Sequence, residues 1–160
     1  MKPEVTKAMT RPCGNCKFCP SIRQTNTITN VKSNITSKIV SGGCCKTKNV
    51  IYAAKCKRHE TIYVGHTGET LATRFAKHRY DIGKRPSNSE LAEHFHKDHN
   101  VDQDLEVAIL QSGVNDTSER VQLEDRWMRK LQTLSPTGLN QDCKAYAKEM
   151  YTCWKALTSV

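Results

Sequence analysis

The sequence predicts an α+β fold: a small three-stranded antiparallel sheet flanked by helices, preceded by a cysteine-bearing β-ribbon arm. Three observations carry this. Val50–Ala54 and Thr61–Val64 are short runs of strand formers joined by a polar turn, the pattern of an antiparallel hairpin. Leu105–Leu110 is a third such run, nearly continuous in apolar residues after Glu106. Between and after these runs lie helix-period segments with start signals at Thr70 and at Asp116 or Thr117.

The chain has 160 residues, enough for one compact domain and an appendage, and its division is expected at 1–45 (arm), 46–140 (core) and 141–160 (packing helix). MKPEVTKAM has no apolar run of the signal-peptide kind, and no stretch approaches membrane-spanning length. A soluble, unsecreted protein without a membrane partner is expected. Charge is one-sided: residues 1–55 hold ten Lys or Arg against the single acid Glu4, whereas residues 56–160 hold fifteen of each sign. A basic segment of this kind is the footprint of a polyanion binder, with nucleic acid the commonest such partner. The plainer alternative is a solubilising tail.

Eight cysteines in such a chain point to metal before disulfides. Cys13, Cys16 and Cys19 form a double C-x2-C, and Cys44 and Cys45 follow a Gly-Gly turn. That spacing suits a tetrahedral thiolate site, so a structural Zn²⁺ on Cys13, Cys16, Cys19 and Cys45 is expected, with Cys44 the alternative fourth ligand. Reduced or redox cysteines without metal are the competing reading. Between the triplet and Gly42, Thr, Ile and Val alternate with polar residues in TNTITNVKSNITSKIV, which reads as a β-ribbon turning near Lys32–Asn34. A ribbon this small buries little alone, so zinc would supply its stability.

After the hairpin, a helix from Thr70 to about Gly83 places Leu71, Phe75, His78 and Ile82 on one face with Arg74 at its edge. Arg74 and His78 are four apart and therefore neighbours on the helix surface, on a cleft wall or on an exposed rim. Lys84–Asn88 reads as a loop, and Ser89 starts a short helix, SELAEHFHKDH, presenting His94, His96 and His99. The helix running from Asp116 or Thr117 to about Thr133 has the apolar stripe Val121, Trp127, Met128, Leu131 and Leu134, with Glu124 projecting into it. A buried carboxylate needs a partner, either an arginine or a divalent cation such as Mg²⁺. A turn at Ser135–Gly138 precedes Leu139 and Asn140, and a last helix is expected from Gln141 to Leu157, with Cys143 and Cys153 given no chemistry.

A second ligand set has the spacings of a Cys/His zinc site: Cys56-x2-His59 in the hairpin turn and His94-x4-His99 on the short helix, with His96 as the spare. Such a site would tie the hairpin tip to the helix end.

With these residues in place, the chain resembles the GIY-YIG nuclease superfamily and, more narrowly, the endonuclease domain of Penelope-like retroelements. Val50-Ile51-Tyr52 stands as the first half-motif and Tyr63-Val64-Gly65 as the second. Arg74 matches the family's helix arginine, His78 falls one turn later, Glu124 matches the metal-binding glutamate and Asn140 the late asparagine. The resemblance covers residues 45–140, and the cysteine arm resembles what precedes the core in these elements. Cys and His residues between the half-motifs and downstream mark the Penelope-like group; here Cys56, His59, His94 and His99 fill those places. Two departures stand out: Val50 replaces a glycine, and His59 stands where many relatives have a second cysteine.

The resemblance implies a GIY-YIG-like core that hydrolyses DNA phosphodiester bonds with one Mg²⁺ or Mn²⁺, while two Zn²⁺ ions are structural. It implies Tyr52 as base, directly or through His78, and Tyr63 to orient the water or contact the phosphate. Arg74 would stabilise phosphoryl charge, Glu124 hold the metal, and Asn140 pin local backbone. It further implies double-stranded DNA bound mainly by its backbone, nicking that leaves a 3′ hydroxyl for a reverse transcriptase domain of the parent element, and a nuclear location. A catalytically silent, zinc-stabilised nucleic-acid-binding module is the alternative.

Overall fold

The computed structural model describes residues 8–83, 90–96, 99–135 and 137–141. The expected C-terminal helix, with Cys143 and Cys153, the 84–88 loop and the Ser89 helix start lie outside them, as does Pro136 of the expected turn. Among the described residues no helix is long and apolar enough to cross a membrane.

The arm opens with an irregular cysteine loop and a single 3-10 turn at Cys19–Ser21, then forms a ribbon of β1 (Thr27–Asn30) and β2 (Ile35–Lys38). They pair antiparallel with Thr29 opposite Thr36, around a turn in which Asn34 takes a left-handed φ of 54°. Alternation decides what the ribbon buries: Ile28, Asn30 and Ser37 point inward, and Thr29, Thr36 and Lys38 outward.

The core sheet contains β3 (Val50–Cys56), β4 (Thr61–Thr67) and β5 (Leu105–Gln111), in the order β4-β3-β5 and antiparallel throughout. The central β3 is flanked on both sides, which is why its apolar run is almost continuous. On one face Tyr52, Ala54, Tyr63, Val107 and Ile109 meet Leu71 and Phe75 of α1 (Leu71–Ile82) and Leu91 and Phe95 of α2 (Glu90–His96). On the other, Ile51, Ala53, Ile62, Val64 and Leu110 lie under Trp127, Met128 and Leu131 of α4 (Thr117–Leu131). Thr70 caps α1 by accepting from the Thr73 N–H, and Asp116 caps α4 by accepting from the Glu119 N–H at 2.9 Å.

The arm packs on both faces of the core. Phe18 stacks on Phe75 with ring centroids 4.8 Å apart, while Ile28 and Ile39 join the cluster under α4. It also covers the outer edge of β5: the Arg23 N–H donates to the Val107 carbonyl at 3.0 Å and the Val40 N–H to that of Leu110 at 2.8 Å. On the opposite edge, the Leu139 N–H donates to the Ile62 carbonyl of β4 at 2.9 Å. Both edges of the sheet are thus shielded from pairing with another chain.

Three local expectations change. The segment expected as one helix through His99 is helical over Glu90–His96, and a separate turn, α3 (Val101–Asp104), follows with Asn100 as its cap. Val121 is only half-buried; the inward side of α4 instead includes Arg120, Glu124 and Asp125 beside Trp127, Met128 and Leu131. Arg120 is accommodated there because its guanidinium donates to Asn49 Oδ1, to the Val114 and Asn115 carbonyls and to Thr117 Oγ1. Leu134, expected at the end of the stripe, is likewise half-buried.

Candidate active site

Strand register brings the two tyrosines together. Tyr52 lies opposite Gly65 and Ala54 opposite Tyr63, so the two rings sit diagonally on the α1 face with centroids 6.4 Å apart. Gly65 is required by that arrangement: a Cβ there would stand 2.5 Å from the Tyr52 hydroxyl, 2.6 Å from its Cζ and 2.9 Å from Tyr63 Cε1. A register shift on β5 next to Tyr52, between its partners Ile109 and Gln111, is a bulge of the kind that re-aims side chains.

Helix α1 supplies the groups that meet these rings. His78, 2 % exposed, has its Nε2 2.9 Å from the Tyr52 hydroxyl. Arg74, half-buried one turn earlier, sits beside both phenols and favours their charged forms. With His78 carrying its proton on Nδ1, the Tyr52 hydroxyl donates to Nε2. Burial pushes both phenols well above the ordinary tyrosine range; for Tyr52 the adjacent Tyr63 adds to this, and the Glu124 carboxylate adds for both, while Arg74 pulls each back. For Arg74, burial works against the charged form, yet the phenols beside it keep its pKa raised. Its Nε is buried without a hydrogen-bond partner among the described residues.

Glu124 approaches from the other face. It is 1 % exposed, and its Oε2 lies 3.3 Å from Nε2 of His66, which is 22 % exposed. His66 is opposite Ile51 in β4 and therefore points toward α4, away from the face of Tyr63. Asn140 contacts no ring: its Oδ1 accepts from the Val64 N–H and its Nδ2 donates to the Val64 carbonyl, both at 2.9 Å, while Thr133 Oγ1 donates to Oδ1 at 2.8 Å. It thus occupies the place of a neighbouring strand residue and fixes the middle of β4 between Tyr63 and His66. The structure brings Tyr52, Tyr63, Arg74 and His78 together on one face, sets Glu124 within their electrostatic reach, and places Asn140 behind them. His66, directly after the second half-motif, stands where sequence reasoning places a candidate phosphate contact; strand parity gives its face, but its partner Glu124 lies 58 residues further along the chain.

Two side-chain clusters have the geometry of metal sites. The ligand atoms of Cys13, Cys16, Cys19 and Cys45 all lie within 4.8 Å of one another. Three sulfur pairs measure 3.5, 3.6 and 3.8 Å, against about 3.8 Å for a regular tetrahedron with Zn–S of about 2.3 Å. Cys44 stands apart, its sulfur accepting from the Lys46 N–H. Burial raises the Cys19 thiol, but hydrogen bonds from the Cys16 and Gly14 backbone and from neighbouring thiols outweigh it and bring its pKa to about 6. This favours the thiolate form that metals bind at Cys19, whereas burial, with the neighbouring thiols adding, raises Cys45, as expected when one thiolate is shared among clustered thiols. Cys56, His59, His94 and His99 form the second cluster, also within 4.8 Å, with Cys56 Sγ 3.5 Å from His59 Nδ1 and His59 Nδ1 3.1 Å from His99 Nε2. Desolvation, then the charges of His99, His59 and Lys32, lower His94 to about 4, so it is held neutral and ready to ligate. His96 is turned away, with its Nδ1 2.8 Å from the Ile82 carbonyl.

A hairpin bearing paired tyrosines, a helix bearing arginine and histidine, and a glutamate brought from a distant helix define a GIY-YIG catalytic domain. The chain belongs to this family: the model of the GIY-YIG catalytic domain matches residues 48–140. Among solved structures it is similar to the catalytic domain of the intron endonuclease I-TevI in a Glu-to-Ala mutant form, with 24% identity and a TM-score of 0.54 over 63% of this chain and 100% of that one. It is similar also to the catalytic domain of the homing endonuclease I-TevI, with 25% identity and a TM-score of 0.51 over 59% of this chain and 99% of that one. No curated protein matches the chain.

Proposed function

We propose that this chain is a metal-dependent DNA endonuclease that hydrolyses phosphodiester bonds. The observation that carries the reading is Arg74, half-buried beside both Tyr52 and Tyr63, with the Glu124 carboxylate near enough to act on both phenols. A guanidinium in this position is a fork of donors suited to a phosphoryl oxygen. The similarity to endonuclease domains supports DNA as substrate.

Glu124 suits the divalent ion that the family uses: a hard oxygen donor, 1 % exposed and supported at Oε2 by His66. When bound, Mg²⁺ or Mn²⁺ supplies Lewis-acid stabilisation of the leaving oxygen. The chain's own residues do the rest. Burial keeps Tyr52 protonated at neutral pH, so its oxygen acts as a relay, taking the proton of the attacking water while its own proton passes to His78 Nε2 across 2.9 Å. Tyr63 orients the water or the phosphate from the adjacent position. Arg74 neutralises the charge that builds on the phosphoryl group, and Asn140 holds β4 in place through Val64.

Zinc on the four-cysteine cluster and on Cys56, His59, His94 and His99 would give two structural ions per chain. The second cluster also supports the finer reading of a domain derived from a Penelope-like retroelement, because residues inserted between and after the half-motifs meet in one place. On that reading the protein nicks chromosomal DNA in the nucleus and leaves a 3′ hydroxyl for a reverse transcriptase, with residues 1–45 a zinc-binding arm, 46–140 the nuclease and 141–160 a packing helix. Supercoiled plasmid incubated with the chain and Mg²⁺ should relax to the nicked circle, and a DNA polymerase should extend the nick directly. Relaxation without extendable ends would reject the 3′-hydroxyl assignment, and intact plasmid would favour the silent DNA-binding module.

A further inference from the structure

We propose that the ribbon β1–β2 is a sequence-reading element that enters the major groove of the DNA substrate, and this rests on the endonuclease reading above. The ribbon's inner side is spent on packing: Ile28 and Ile39 join the core under α4, and Asn30 Nδ2 donates to the Leu131 carbonyl at 2.6 Å. Its outer side carries Thr27, Thr29, Thr36 and Lys38, of which the last three are exposed. Thr29 and Thr36 are cross-strand partners with hydroxyls 3.0 Å apart, forming a small polar platform. At the tip, Val31 is 54 % exposed and Lys32 is exposed beside it.

Shape and charge single out duplex DNA as the partner. The major groove is about 12 Å wide and admits a two-stranded ribbon. Not one Asp or Glu occurs between Val5 and Lys55, and although Glu106 of β5 pairs with Arg23 beside Thr27 and Thr29, the exposed Lys32 and Lys38 leave the ribbon itself with positive charge only. β2 packs beside α4, which carries the exposed Arg126. Threonine hydroxyls and a lysine are donors or acceptors for base edges, and a valine methyl fits the thymine methyl. Backbone attraction alone would leave an exposed valine and a threonine pair without a role. The platform's four-residue strands, at about 3.4 Å per residue, match a reading frame of about four base pairs.

The test separates binding from cleavage. The chain is equilibrated with duplexes carrying a randomised centre in the presence of EDTA, with its structural zinc content verified after the incubation, and the bound fraction is sequenced. Wild type should enrich a short motif, and Thr29→Ala/Thr36→Ala should lower the preference for that motif over random duplex about tenfold. Arg126→Ala should instead weaken binding to motif and random duplex alike, with a shallower salt dependence. Enrichment of the same motif by the double variant, with the same preference, would overturn the proposal, as would random sequences in the wild-type pool. Plasmid nicking by wild type in Mg²⁺ is scored separately, so a wild-type pool that enriches no motif, with nicking intact, rejects the ribbon's role and leaves the nuclease reading standing.

Discussion

The two faces of the central sheet do opposite electrostatic work. The α1 face gathers two phenols, an imidazole and a guanidinium inside an apolar wall of Leu71, Phe75, Leu91 and Phe95. From the α4 face the Glu124 carboxylate reaches the site, with His66 on it. The first set is local in sequence, spanning residues 52–78, and a hairpin register with a helix one turn beyond is enough to assemble it. Glu124 depends on how α4 crosses the sheet, and therefore on the whole fold being in place. A phosphodiester between them would meet donors from one side and a hard oxygen ligand from the other.

The largest expected effect separates the faces by removing metal. Cys56→Ser should remove one zinc ion of about two per chain and free the hairpin tip from His94 and His99, while Cys13→Ser/Cys16→Ser should remove the other and loosen the arm. Metal analysis of the purified variants checks each, and an unchanged zinc count in either would disprove that ligand set. Next, Gly65→Ala forces a Cβ into the Tyr52 and Tyr63 rings, an overpacking cost of about 1–3 kcal/mol. It should lower the unfolding midpoint and break the Tyr52–His78 contact, disabling the α1 face while metal binding at Glu124 persists. Asn140→Ala should cost about 1–3 kcal/mol by leaving Val64 unsatisfied on the edge strand the faces share; urea unfolding at neutral pH measures it. The smallest effect is alkaline. Folded-state values for both phenols lie above the unfolded value of about 10, so their contribution is intact below pH 10 and is lost as the pH climbs through the folded values. Stability should be level up to about pH 10 and then fall, less steeply in Tyr52→Phe, as followed by denaturant midpoints across that range.

Much of the α1 face was legible in the sequence because its signals are local: two strand runs, a threonine cap at Thr70 and a four-residue spacing from Arg74 to His78. Glu124 announced itself as a carboxylate inside an apolar stripe. His66 stood out only as the residue after the second half-motif, and its pairing with Glu124 did not, since nothing in a strand's own pattern names the helix residue it will face. The same limit applies to the arm. Alternation in β1 and β2 gives inner and outer residues, but the docking of Phe18 on Phe75 and of Ile28 beneath α4 depends on long-range packing. Half-burial of Val121 and burial of Arg120 have that cause too: Asn49 and the 114–115 carbonyls form an acceptor ring that periodicity does not register.

The central claim is that groups from both faces act on one phosphodiester. Supercoiled plasmid nicking in Mn²⁺ or Mg²⁺, with wild type beside Glu124→Ala and Arg74→Ala at equal folded concentration, tests it most directly. The account predicts wild-type nicking and a loss of about 10²–10³-fold or more in each variant. Cleavage by either variant at the wild-type rate would contradict it.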